Sequence, residues 1–161
     1  MKPESVITPD QDAVVCEIEI AAPPARVWEA LTTSDQLAHW WHREEDFHVK
    51  TWEIDARDSG EWKHVTFDSS GKFVKDGIRD FIMQGKILEF APPRRLVMTW
   101  EANFHSPAWK RTLVVWELTP LGNNTRVKVT HSGLKDLAVD RKDYAGGWPG
   151  VLEQLKNYVE K

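Results

Sequence analysis

Residues 85–101 read GKILEFAPPRRLVMTWE, and residues 111–134 read RTLVVWELTPLGNNTRVKVTHSGL. With the residues just before Gly85, these two stretches spell four consecutive antiparallel strands and their turns. Leu96, Met98 and Trp100 fall on one face of a strand, and Val97, Thr99 and Glu101 on the other, because successive strand side chains alternate. Val114 and Trp116 share a face in the same way, as do Val127, Val129 and His131. The first strand runs from Ile78 to about Phe90. Ala91-Pro92-Pro93-Arg94 turns the chain into the second, and PLGNN joins the last two. Short strands joined by short turns pair with their neighbours, which predicts a meander.

Working outward, residues 146–160 read GGWPGVLEQLKNYVE. Trp148, Val151, Leu152, Leu155, Tyr158 and Val159 recur at three- and four-residue spacing, while Glu153, Gln154, Lys156, Asn157 and Glu160 fill the opposite side. This is an amphipathic helix with its stripe against the sheet. Residues 134–143 read as helix or loop. Upstream, Val14, Cys16, Ile18 and Ile20 alternate with Val15, Glu17 and Glu19 as a half-buried strand. ARVWEALT and DQLAHWW follow as two short helices, with Pro23-Pro24 opening the first and Ser34 or Asp35 capping the second. Trp52 and Ile54, then EWKHVTF, add further strands. The fold class is α+β, a curved antiparallel sheet gripping a C-terminal helix. Residues 1–12 form a loose leader, and residues 13–161 form a single domain.

Composition narrows the function classes. The 161 residues are 41% hydrophobic and 29% charged, with a formal net charge of −4. That charge argues against a nucleic-acid partner, which needs a basic stripe. A single cysteine excludes an internal disulfide and fits a reducing cytoplasm. No apolar run approaches the ~20 residues of a membrane helix, and no secretory signal is visible. Tryptophan is the outlier: there are nine, several times ordinary usage. Each brings a large apolar face and one N–H donor.

IEIAAPPARVWEALTTSDQLAHWW, GKILEFAPPRRLVMTWE, VVWELTPLGNNTRVKVTHSGL and GGWPGVLEQLKNYVE, in that order, resemble the START-like superfamily, also called SRPBCC or the helix-grip fold. The closer similarity is to the AHSA-type family, named for the activator of the heat-shock-protein ATPase. The resemblance spans about Ile18 to Glu160. It implies six or seven strands around a long C-terminal helix, two short helices after the first strand, and an apolar cavity between sheet and helix. Many members are bacterial proteins without an assigned role. The eukaryotic co-chaperones of the family carry an additional N-terminal domain that these residues do not contain, which places a co-chaperone role last.

The candidate ligand-binding residues are Trp40, Trp41, Trp52, Trp62, Met98, Trp100, Trp116, His131, Tyr144, Trp148 and Leu152. Stiff rings on a curved sheet are expected to leave space, and a ring-lined space takes flat or acyl molecules. His131 shares a face with Val127 and Val129 and is the one catalytic candidate, with Tyr144 or Glu101 as possible acid–base partners. His39, His42, Glu45, Asp46 and His48 match no closed metal motif, so neither a metal nor a cofactor is expected. Cys16, among apolar neighbours, reads as a small buried hydrophobe.

The leading reading is a cytoplasmic binder or sensor of a small apolar or aromatic ligand, not an enzyme, with a homodimer left open. A cyclase- or lyase-type enzyme using His131 is the alternative, and a protein-interaction module is the third. A wide cavity with at most one ionisable group favours the first. Two converging titratable groups favour the second. A filled interior beside a large exposed apolar patch favours the third.

Overall fold

The computed structural model describes residues 2–41, 47–72 and 77–161. The elements run β1 (Val6–Ile7), β2 (Val14–Ile20), α1 (Pro24–Thr32), α2 (Ser34–Trp40), β3 (Phe47–Ile54), β4 (Glu61–Asp68), β5 (Asp80–Ala91), β6 (Arg95–Ala102), β7 (Thr112–Leu121), β8 (Asn124–Ser132) and α3 (Ala138–Val159). One eight-stranded sheet holds them in the order β1-β2-β8-β7-β6-β5-β4-β3. The predicted meander is therefore β3 to β8, and β2 returns beside β8 in antiparallel register. The strand count exceeds the expected six or seven because Val6–Ile7, inside the segment read as a loose leader, pairs with Val15 and Val14.

Register decides which parity faces the core. Val14, His131, Val114, Met98 and Ile87 lie opposite one another across five strands, and all are buried. On the other face, Glu17, Lys128, Glu117 and Arg95 form a row of alternating charge, and Arg95 reaches Glu117 at 3.1 Å. Cys16 is 1% exposed, and burial pushes its thiol pKa up, as suits an inert small hydrophobe.

Pro24 sits in the first turn of α1, where its missing N–H costs nothing, and Val27, Trp28, Ala30 and Leu31 turn inward. The cap of α2 differs from expectation. Thr33 occupies the N-cap and makes no side-chain cap bond. Ser34 has a different use: its hydroxyl accepts the Ile54 N–H at 3.0 Å and ties the helix to β3.

Helix α3 has 22 residues and starts well before Gly146. It runs through Gly146, Gly147, Pro149 and Gly150, an unfavourable sequence for a helix. What holds it is tertiary: Trp148, Leu152, Leu155 and Val159 are buried against the rest of the fold. The chain ends are tied in as well. Asp12 accepts the Gly133 and Lys135 N–H groups on its side chain and the Leu134 N–H on its backbone. Near the other end, Glu160 accepts the Ala21 N–H at 2.7 Å.

Candidate functional site

The indoles on the inner sheet face, at the end of α2 and on α3 converge on one another. Trp40, Trp41, Trp52, Trp62, Trp100, Trp116 and Trp148 are each no more than 6% exposed, and Met98 and Leu152 are buried with them. Trp41 lies at the centre. Its ring centroid is 5.4 Å from Trp40, 5.2 Å from Trp52, 6.0 Å from Trp100, 6.3 Å from Trp116 and 5.8 Å from Trp148. The Trp100 contact is stacked, while the Trp116 and Trp148 contacts are edge-on. Rings expected to border an open space between sheet and helix instead occupy that space with each other. Mixed stacked and edge-to-face contacts satisfy the ring quadrupoles at close range, so rigidity does not prevent close packing.

Gly85 makes one of these contacts possible. It pairs with Trp62 across β4 and β5, and a Cβ built on it would lie 2.0 Å from the Thr99 carbonyl oxygen. With no side chain there, β5 and β6 approach closely, and the Trp62 Nε1–H reaches across to donate to Thr99 O at 3.0 Å. The same ring sits 4.3 Å from Trp100.

The indole N–H groups differ in their partners. Trp40 donates to Ala30 O, Trp100 to the Tyr144 hydroxyl and Trp148 to His131 Nδ1. Trp52 Nε1 is buried and makes no hydrogen bond among the described residues. A buried donor without an acceptor costs about 1–3 kcal/mol. Its ring stacks on His64 at 4.9 Å and 26°, and His64 Nδ1 lies 3.2 Å from Thr51 O.

The hydrogen-bond network fixes His131 and His105 in one tautomer each. His131 is completely buried. Its Nδ1 accepts the Trp148 N–H, so Nε2 carries the proton and donates to Thr112 Oγ1 at 2.7 Å; Thr112 in turn donates to Trp100 O. Burial, and then electrostatic repulsion from His105, hold the His131 pKa well below its usual value of 6.5. His105 lies 2.7 Å from Lys110 O through Nδ1, an acceptor-only partner, so Nδ1 carries the proton. His105 Nε2 then accepts the Tyr144 hydroxyl at 2.6 Å, while that hydroxyl accepts the Trp100 N–H. Tyr144 also lies against the His131 ring, 4.1 Å between centroids.

The predicted residues divide accordingly. Trp100, His131, Tyr144 and Trp148 form one hydrogen-bonded group, joined to Trp41, Trp52, Trp62 and Trp116 by ring contact. Glu101 does not join them. As the next residue along β6 it points to the outer face, 3.8 Å from Arg111, and borders an open cleft of about 410 Å³ with Glu53, Lys63 and Lys86. His39 is exposed and packs on Tyr158. His42, Glu45 and Asp46 lie outside the described residues, among which no cluster could hold a metal ion. Two residues escaped the sequence reading. His64 shares the parity of Trp62 in EWKHVTF and could have been found by alternation. His105 lies in the loop between β6 and β7, where no periodicity points inward.

The family model for "Activator of Hsp90 ATPase homolog 1-like protein" matches residues 21–160, which covers α1, the meander and α3. The chain belongs to this family. Among solved structures, a Chromobacterium violaceum protein is 25% identical, with a TM-score of 0.77 over 93% of this chain and 99% of its own. A Nitrosomonas europaea protein is 22% identical, with a TM-score of 0.75 over 95% of this chain and 96% of its own. DynU16, from the dynemicin biosynthetic locus, shares the family fold at 20% identity and a TM-score of 0.69, over 93% of this chain and 48% of its own. Among curated proteins none matches significantly.

Proposed function

We propose that this family member binds a small, flat, apolar molecule between the sheet and α3, within the indole cluster. The observation that carries this reading is the polar chemistry set inside an aromatic interior: an unsatisfied Trp52 N–H and the ordered His131–Thr112 and Tyr144–His105 pairs. A core selected for stability alone leaves no buried polar group unsatisfied, and departures from that rule concentrate at functional sites. A fold neighbour from a biosynthetic locus agrees with small-molecule chemistry. The wide cavity that would favour a binder is closed by rings here, so binding requires one ring to move. Native mass spectrometry of protein taken directly from cells tests the reading. A retained small-molecule mass, lost in Trp100→Gln, is expected. Protein that carries no adduct, and that binds added hydrophobic probes only on its outer surface, overturns it.

A second reading has its own support. The Tyr144 hydroxyl donates to His105 Nε2, and Tyr144 is only half-buried, so the pair resembles a phenol held beside its base. An enzyme of this kind would lose turnover in both Tyr144→Phe and His105→Gln while still binding its ligand. Unchanged turnover in either variant removes this reading.

A further inference from the structure

We infer that the ligand takes the place of the Trp41 ring and is held there by the Trp52 N–H, so that it is a neutral bicyclic-sized aromatic carrying one hydrogen-bond acceptor. This deepens the binding function proposed above and rests on it. Trp41 is the ring around which the others are arranged, with Trp52, Trp100, Trp116, Trp148 and His64 as its shell. It hangs from the end of the seven-residue helix α2, where the backbone has left helical geometry at φ −88° and ψ 87°. Trp52, Trp62, Trp100 and Trp116 are carried by strands, and Trp148 by the middle of α3. Moving Trp41 therefore breaks no strand pairing. The space it leaves is an indole-sized slot with aromatic walls, which selects for a flat ring of similar size.

The second, independent observation gives the ligand its polar atom. Trp52 is 5% exposed, its ring lies 5.2 Å from Trp41, and its N–H has no acceptor among the described residues. Trp41 carries no acceptor in its indole, so it can fill the slot without satisfying Trp52. A ligand with a ring nitrogen or carbonyl oxygen at that edge does both. A carboxylate is disfavoured, because the described walls of the slot are buried aromatic rings, among which an unpaired charge is costly.

The test uses quinoline and naphthalene, equal in shape and differing by one acceptor nitrogen, titrated calorimetrically into the full chain. Quinoline is expected to bind the unmodified protein roughly tenfold more tightly than naphthalene, the worth of one hydrogen bond. Trp52→Phe should abolish that preference and leave naphthalene affinity little changed. Benzothienylalanine installed at position 52, isosteric but lacking the N–H, should do the same and controls for altered packing. Trp41→Ala should tighten both probes. A quinoline preference that is absent, or that survives both changes at position 52, overturns the anchor while leaving the binding function standing. Binding of both probes to Trp41→Ala, with neither binding the unmodified protein, marks a permanently closed core and overturns both.

Discussion

His131 shows what burial does to a single residue. In the folded chain it is neutral, held by Trp148 and Thr112, and its pKa lies well below the 6.5 expected when unfolded. The unfolded chain therefore binds one more proton once pH falls below about 6.5, and folding stability drops as pH falls further toward the folded pKa. The slope from this residue is about 1.4 kcal/mol per pH unit, and stability is fully present above that window. Urea unfolding from pH 7.5 downward should show this loss, and His131→Gln should flatten it; equal slopes in the two proteins would contradict the assignment. Gly85 is the other decisive residue. Gly85→Ala should destabilise by more than about 2 kcal/mol, because its methyl would meet the Thr99 backbone rather than a flexible side chain. Thermal denaturation measures this directly. The inward parity of His131 was legible from Val127 and Val129 in the sequence. Its partners were not: Thr112 and Trp148 come from other elements, brought within reach by the β7–β8 register and by the packing of α3 on the sheet.

At the scale of elements, α3 carries the largest burden with the least help from its own sequence. Leu152 is fully buried, so Leu152→Ala should cost about 2–5 kcal/mol in chemical denaturation. Gly146 and Gly150 present open space to an added methyl. Each change to Ala should therefore raise stability by about 0.5–1 kcal/mol, and a loss of stability would show that the glycines serve packing. The C-terminal half of α3 was readable because its apolar stripe is regular. The N-terminal half was not, because its hydropathy is inverted: Asp140 is 1% exposed while Val139 is 59% exposed. Asp140 accepts the Ser106 N–H, so a polar residue occupies the inward position for the sake of the loop between β6 and β7. Strand β1 escaped notice for a simpler reason, since two paired residues make no periodic signal.

Across the whole molecule, the sheet, the meander and the gripping helix were all legible, since they follow from alternation, turn chemistry and helical spacing. The filled interior was not, since sequence specifies ring number and parity but not ring tilt. Long-range ties were equally hidden. Asp12 joins the N-terminal segment to the link between β8 and α3. Asp12→Ala should lower stability by about 0.5–1 kcal/mol, and hydrogen exchange should show earlier opening of the Gly133 and Lys135 amides. Protection unchanged at both amides would show that the tie is not used. The indole cluster also has an optical consequence. Chromophores with centroids 4.3 to 6.3 Å apart exchange excitation before they emit. Emission from this protein should be strongly depolarised, and its circular dichroism should carry an exciton couplet from the tryptophans. Trp41 supplies five of the close indole contacts, so Trp41→Phe should weaken and reshape the couplet, while Trp52, Trp62, Trp100, Trp148 and Trp116 stay coupled through their own contacts. Any molecule that displaces the Trp41 ring should alter the same signal, which makes the fold its own unlabelled reporter of occupancy.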